Sequence, residues 1–279
     1  MRNRKRVGWH RYINGVVVST IVTALFILIP LYWLIASSFK APNDVGTTRL
    51  FPDPISGANY SNAFVGYDFG IYFRNSLIVT IVATALVLIL GTLAGYALGR
   101  LPMRGKFSTL VILLMISVFP EVAVIAPLFL LMKEIGWLNS YQALILPYTA
   151  FNLPFAIWIL RNYMLGIPKE MEETGRIDGA GALRTVWTII LPQALPGLFT
   201  AGIFCFTACW TEFLMALTFN DSNNFRTIPV GIADFGGNFQ VPYGTIFAAS
   251  VVAVVPIGIL VFVFRKFVIS GLTSGAVKG

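Results

Sequence analysis

The sequence predicts an all-α, polytopic membrane protein: six transmembrane helices, with a polar helix–turn–helix set between the fourth and fifth. Three observations carry that prediction. Of 279 residues, 57% are hydrophobic and only 11% charged, with a mean hydropathy of +0.78. An ordinary soluble domain is about 45–50% apolar and about 25% charged. Six separate apolar runs approach or exceed the ~20 residues a helix needs to cross about 30 Å of hydrocarbon. Lys and Arg, finally, fall mostly on one side of those runs.

The first run, 13–38, follows Arg2, Arg4, Lys5 and Arg6. It is too long for the core of a signal peptide and ends without a small-x-small cleavage site, so it reads as a retained span. The others are 76–99, 107–132, 141–160, 195–218 and 243–264, and the chain is read as a single transmembrane domain, 1–279. Only the third and fifth runs contain a charge, Glu121 and Glu212 respectively. With the N-terminus inside, only Lys40, Arg49, Arg74, Lys133 and Arg226 of the 20 basic residues lie on outer loops. That bias predicts cytoplasmic N- and C-termini. It also accounts for the net charge of +8 through membrane topology, with lipid and no nucleic acid as partner. The outer loops 39–75 and 219–242 are rich in Pro and Gly and suit either plain connection or contact with an external partner.

Segment 168–192 stands out because it is charged between apolar runs. Pro168 suits a helix start, where its missing N–H is not needed. Glu170, Glu172 and Glu173 then sit where the helix dipole favours acids. Gly179 and Gly181 bracket a turn, and Leu183, Val186, Trp187 and Ile190 form an apolar stripe at helical spacing. From these residues alone, the segment is either a lever gripped by a water-side partner or an amphipathic hairpin lying on headgroups.

Its spacing resembles the cytoplasmic loop by which permeases of ATP-binding-cassette (ABC) importers dock onto their ATPase. That loop reads Glu-Ala-Ala, three residues, Gly, nine residues, Ile, one residue, Leu-Pro. Here Glu173-Thr174-Gly175 is followed at the same intervals by Gly179, Ile189 and Leu191-Pro192. Thr-Gly for Ala-Ala keeps both residues small, although Gly costs a helix about 1 kcal/mol against Ala. Asn75-Ser76, Leu146-Pro147, 152–156, Trp210-Thr211-Glu212-Phe213 and the ending 271–279 are similar to the maltose-type, six-span carbohydrate permeases. In that family Asn usually precedes the fifth-span Glu; this chain has Thr211.

The resemblance implies a permease subunit that moves a carbohydrate inward by alternating access, powered by a separate ATPase. It implies ATPase docking by Glu172, Glu173, Thr174, Gly175, Asp178, Gly179, Ala180, Leu191 and Pro192. The implied partners are a second homologous permease, two ATPase subunits and an extracellular or periplasmic solute-binding protein. The implied location is the bacterial or archaeal cytoplasmic (inner) membrane. No cofactor is expected in this chain, ATP and Mg being held by the ATPase.

Charged residues inside spans are costly and so point to function. Glu212, beside Trp210, could accept sugar hydroxyls while the indole stacks on a C–H face, or it could tie one span to another. Glu121 follows Pro120, where a broken helix could line a solute path. Asn152 and Tyr148 complete the candidate path. Gly91, Gly95 and Gly99 form a small-residue row for close helix packing, with this chain or with another subunit. Cys205 and Cys209, at i, i+4, read as small packing residues. No phosphate-binding Gly-x-x-x-x-Gly-Lys motif, nucleophile–base set or metal spacing occurs, so the chain is not expected to be an enzyme. Two rival readings are an ABC permease for a non-sugar solute and an ion-coupled secondary transporter using Glu121 and Glu212.

Overall fold

The computed structural model describes residues 4–177, 179–236 and 241–274. Among these, every regular element is helical. Among the described residues, five helices are long and apolar enough to cross a membrane, and there are six crossings if a bent pair of shorter helices counts as one span. The chain divides into two compact units, Met1–Asp68 with Phe235–Val252 and Phe69–Asp234 with Ala253–Gly279.

In the first unit, α1 (Arg4–Ser38) presents Val22, Phe26 and Ile29 outward, which suits lipid. Its C-terminal end is held by α2 (Ala58–Ser61): the Asn59 amide donates to the carbonyls of Ser38 at 3.0 Å and Lys40 at 2.8 Å. Those are the kind of carbonyls a helix end leaves unsatisfied. Lys40 is buried; its ammonium donates to the Thr47 carbonyl at 2.8 Å and lies 4.1 Å from the Trp33 ring centre. Both contacts compensate a desolvated cation.

The second unit is built on α3 (Phe69–Arg100), α6 (Gln142–Leu165) and α9 (Leu191–Thr211), which pack on one another. Val79, Ala83, Val87, Leu144, Leu160 and Ala201 fill the seam. The glycine row sits in that seam and faces α6 of the same chain. A Cβ at Gly95 would lie 3.1 Å from the Arg161 nitrogen, and one at Gly91 would lie 3.3 Å from Leu160. Close backbone approach there requires the smallest residue.

Two apolar runs expected to be single spans are broken. Run 107–132 becomes α4 (Lys106–Val118) and α5 (Glu121–Glu134), bent by 88° at Phe119-Pro120. Pro120 has no N–H with which to continue the helix. Run 195–218 becomes α9 and α10 (Leu214–Phe219), interrupted by extended backbone at Glu212. At the start of α3, Asn75 donates to the carbonyls of Asn224 (2.8 Å) and Arg226 (2.9 Å) and accepts from the Tyr141 hydroxyl (2.9 Å). Ser76 accepts the Ile228 N–H at 2.8 Å. The Asn-Ser pair thereby anchors the loop that leads into α11 (Ile228–Ala233).

Candidate functional site

The two helix breaks open onto one cavity of about 270 Å³. Glu121, the first residue of α5, and Glu212, at the end of α9, both line it, with Tyr148 and Asn152 from α6 and Cys209 and Thr211 from α9. Four of the five residues expected on a solute path are thus brought together. Trp210 is not among them. Its indole N–H donates to the Ala253 carbonyl at 3.0 Å, and its ring packs on Phe206 and Phe73. Residues two apart on a helix point about 200° from one another, so an indole beside Glu212 in sequence faces away from it.

Glu212 is heavily engaged. One carboxylate oxygen accepts the Met215 N–H at 2.7 Å; the other accepts the Ala216 N–H at 3.1 Å and the Tyr148 hydroxyl at 2.5 Å. The first two are N–H groups at the start of α10, which its helical ladder cannot satisfy. An anion is favoured at that end of a helix. Of the two roles open to Glu212, the geometry supports tying spans together: it caps α10 and binds α6. Asn152 donates to the Tyr148 carbonyl at 2.8 Å within the same wall. Phe151, Thr211 and Cys209 also line the cavity; the sequence reads Cys209 as a packing residue and Thr211 as a departure from the family pattern, and places none of the three on the solute path. For Phe151 and Cys209, three residues from Tyr148 and Glu212 respectively, the helical offset was the available signal.

The charged segment folds as α7 (Glu170–Ile177), a turn, and α8 (Ala182–Thr185), followed by a wide turn over 186–190 that leads into α9. Gly179 has φ +78°, a left-handed conformation natural to glycine. The Ala180 N–H closes back on the Gly175 carbonyl at 2.9 Å. Gly175 is buried against Ile189, and a Cβ there would collide with the Ile189 side-chain tip. Two positions of the motif therefore touch where α7 rests on the turn at 186–190. The expected stripe of Leu183, Val186, Trp187 and Ile190 does not hold together. Val186 and Ile190 are buried, whereas Leu183 and Trp187 are exposed, because the wide turn departs from the 3.6-residue period.

Glu173, Thr174, Gly179 and Pro192 are exposed, and Ala180 and Leu191 are half-buried. Ile177 is 86% exposed, an apolar tip beside these polar groups. Asp178 lies outside the described residues. Glu172 departs from the expected docking face: it is buried and turned inward. Its carboxylate lies 3.2 Å from Arg100 Nε and accepts from the Tyr96 hydroxyl at 3.4 Å. The Arg100 contact is poorly aligned for a hydrogen bond, so it is chiefly coulombic. Arg100 also donates to the carbonyls of Met164 and Ile167. Neither Arg100 nor Tyr96 was singled out from the sequence, since nothing local relates them to position 172.

Residues 88–274 match the family described as binding-protein-dependent transport system inner membrane component. The chain belongs to that family. It is a multi-pass permease component of a transport system, and not itself the ATPase. It is 36% identical over 266 residues to the trehalose/maltose transport system permease protein MalG of Thermococcus litoralis, covering 94% of this chain and 96% of that one. It is 38% identical over 254 residues to the sulfoquinovosyl glycerol transport system permease protein SmoH of Agrobacterium fabrum, covering 90% and 89%. A solved bacterial ABC transporter that imports the acidic polysaccharide alginate has a chain with the same fold, at TM-score 0.79 and 22% identity, covering 95% and 98%.

Proposed function

We propose that this permease carries a carbohydrate inward across the cytoplasmic membrane, driven by two ATPase subunits, one of which seats on the exposed face of α7 and α8. A second homologous permease completes the pathway, and an external solute-binding protein delivers the solute. Both termini face the cytoplasm in this reading, which places segment 168–192 on the ATPase side. The observation that carries the proposal is the exposure of Glu173, Thr174 and Ile177 beside the left-handed turn at Gly179. A charged residue with an apolar tip, exposed on a short ordered helix, is suited to a protein cleft.

The sugar assignment rests on the relatives and on the cavity. Two carboxylates, a phenol, an amide and a threonine hydroxyl line it, and among the described residues no Lys or Arg does. That set suits a neutral polyhydroxylated solute and opposes an anion. A volume of about 270 Å³ is at the small end for a ligand site, as for one wall of a pathway shared with a second subunit. Of the two carboxylates that the ion-coupled alternative would use, Glu212 already serves three donors, which leaves Glu121 alone to load and release a cation.

The test is uptake by cells lacking this chain, restored with the wild type or with Glu173→Arg. The panel holds mono-, di- and oligosaccharides, sugar alcohols, glycerol phosphate and amino acids. The expected result is uptake of one carbohydrate lost without the chain, recovered with the wild type and abolished by Glu173→Arg. Wild-type uptake from Glu173→Arg would overturn the docking assignment. Loss of an amino acid instead would overturn the sugar assignment.

A further inference from the structure

We infer that Arg100 and Glu172 are positioning residues that join the docking helix to the transmembrane core, so that α7, the end of α3 and the end of α6 move as one body. The inference rests on the importer reading above.

Three elements meet at one guanidinium. Arg100 is the last residue of α3, and its side chain is 4% exposed. Towards α7 it pairs with Glu172, in the first turn, whose side chain is 8% exposed. Towards α6 it donates to the carbonyls of Met164, in the last turn, and Ile167, just beyond the helix. A cation is favoured at that end of a helix and an anion at the start of the next, so Arg100 and Glu172 suit both termini they occupy. Tyr96, one turn earlier on α3, adds its hydroxyl to the same carboxylate.

Separating any one of these elements would leave a buried charge or a helix end without its partner. Removing one member of a buried pair costs far more than the pair itself contributes. A displacement of α7 is therefore passed to α3 and α6 rather than absorbed at the junction. The neighbouring contact differs in kind: Gly175 meets Ile189 through apolar surface alone, which can slide. Glu173 and Glu172 thus divide the work, one turned to the outside and the other to the core.

Cys209 supplies a reporter that does not require the solute to be known, because it lines the cavity but is only 5% exposed, so its labelling reports opening of that wall, and Cys205 is the only other cysteine in the chain. In a Cys205→Ser background, the whole complex with its partner permease and ATPase is labelled with N-ethylmaleimide, with and without ATP and vanadate. Coupling free energies of ordinary size correspond to about 5–150-fold. The wild type is expected to change its Cys209 labelling rate by about fivefold or more. In Arg100→Gln and Glu172→Gln the ratio should fall close to one while the complex still co-purifies with its ATPase and hydrolyses ATP. Arg100→Lys keeps the charge and should recover part of the ratio.

A wild-type ratio in assembled Arg100→Gln would overturn the inference while leaving the importer reading intact. Failure of Arg100→Gln and Arg100→Lys alike to assemble would also overturn it, since the pair would then serve folding alone. A wild type whose labelling ignores nucleotide would overturn the importer reading, and the inference with it.

Discussion

Glu212 and Glu172 are two engaged carboxylates satisfied in opposite ways. Glu212 is held by neutral donors only: two backbone N–H groups and a phenol. Glu172 is held by a guanidinium, with a phenol in support. The first arrangement is local to a helix end and one neighbouring span, with no counter-ion among the described residues. The second is a pair, so changing either member strands the other. Removing Glu212 should therefore injure the fold of the cavity wall, whereas removing Glu172 should injure the communication between parts.

Glu212→Leu breaks that comparison most severely. It orphans the Met215 and Ala216 N–H groups and the Tyr148 hydroxyl together, each worth about 1–3 kcal/mol when buried without a partner. The thermal unfolding midpoint in detergent should fall by an amount equivalent to more than about 3 kcal/mol. Tyr148→Phe removes one donor and leaves the helix cap, so its loss should be smaller, about 1.5–3 kcal/mol. Equal effects would show that α10 does not depend on its cap.

Gly175→Ala sharpens the other side. The collision is with the tip of the flexible Ile189 side chain, and Ala improves the helix by about 1 kcal/mol over Gly. Stability should change little, and adding Ile189→Val should relieve what strain remains; a large loss would show that α7 cannot shift on the turn at 186–190. At the far end of the scale, Arg226 pairs with Asp221 at 3.1 Å, with Asp221 almost fully exposed. Exposed ion pairs contribute little, so Asp221→Asn should leave the unfolding midpoint unmoved.

Much of this was legible in the sequence because lipid imposes length and apolarity on every crossing. The six runs, Glu121 and Glu212 as the only charges within them, and Gly179 as the turn residue all follow from local pattern. The break at Pro120 was signalled by a residue that cannot continue a helix. The break at Glu212 was not, since it depends on a carboxylate folding back onto the next helix. The inward turn of Glu172 and the outward turn of Glu173 were equally hidden: adjacent acids in one first turn look alike until Arg100, far away in the chain, arrives beside one of them. Trp210 misled for the converse reason, as adjacency in sequence opposes adjacency on a helix face.

The glycine row has a consequence for biogenesis. Gly91 and Gly95 are synthesised and inserted well before Ala156 and Leu160, the side chains they receive, and the α4–α5 pair emerges in between. During that interval this stretch of α3 waits in lipid without its mate. A face of glycines can wait there because it exposes no unpaired polar side chain, and it accepts only a helix whose backbone can approach as closely as that of α6 does. The seam is thus left open in a neutral form until α6 is delivered to close it.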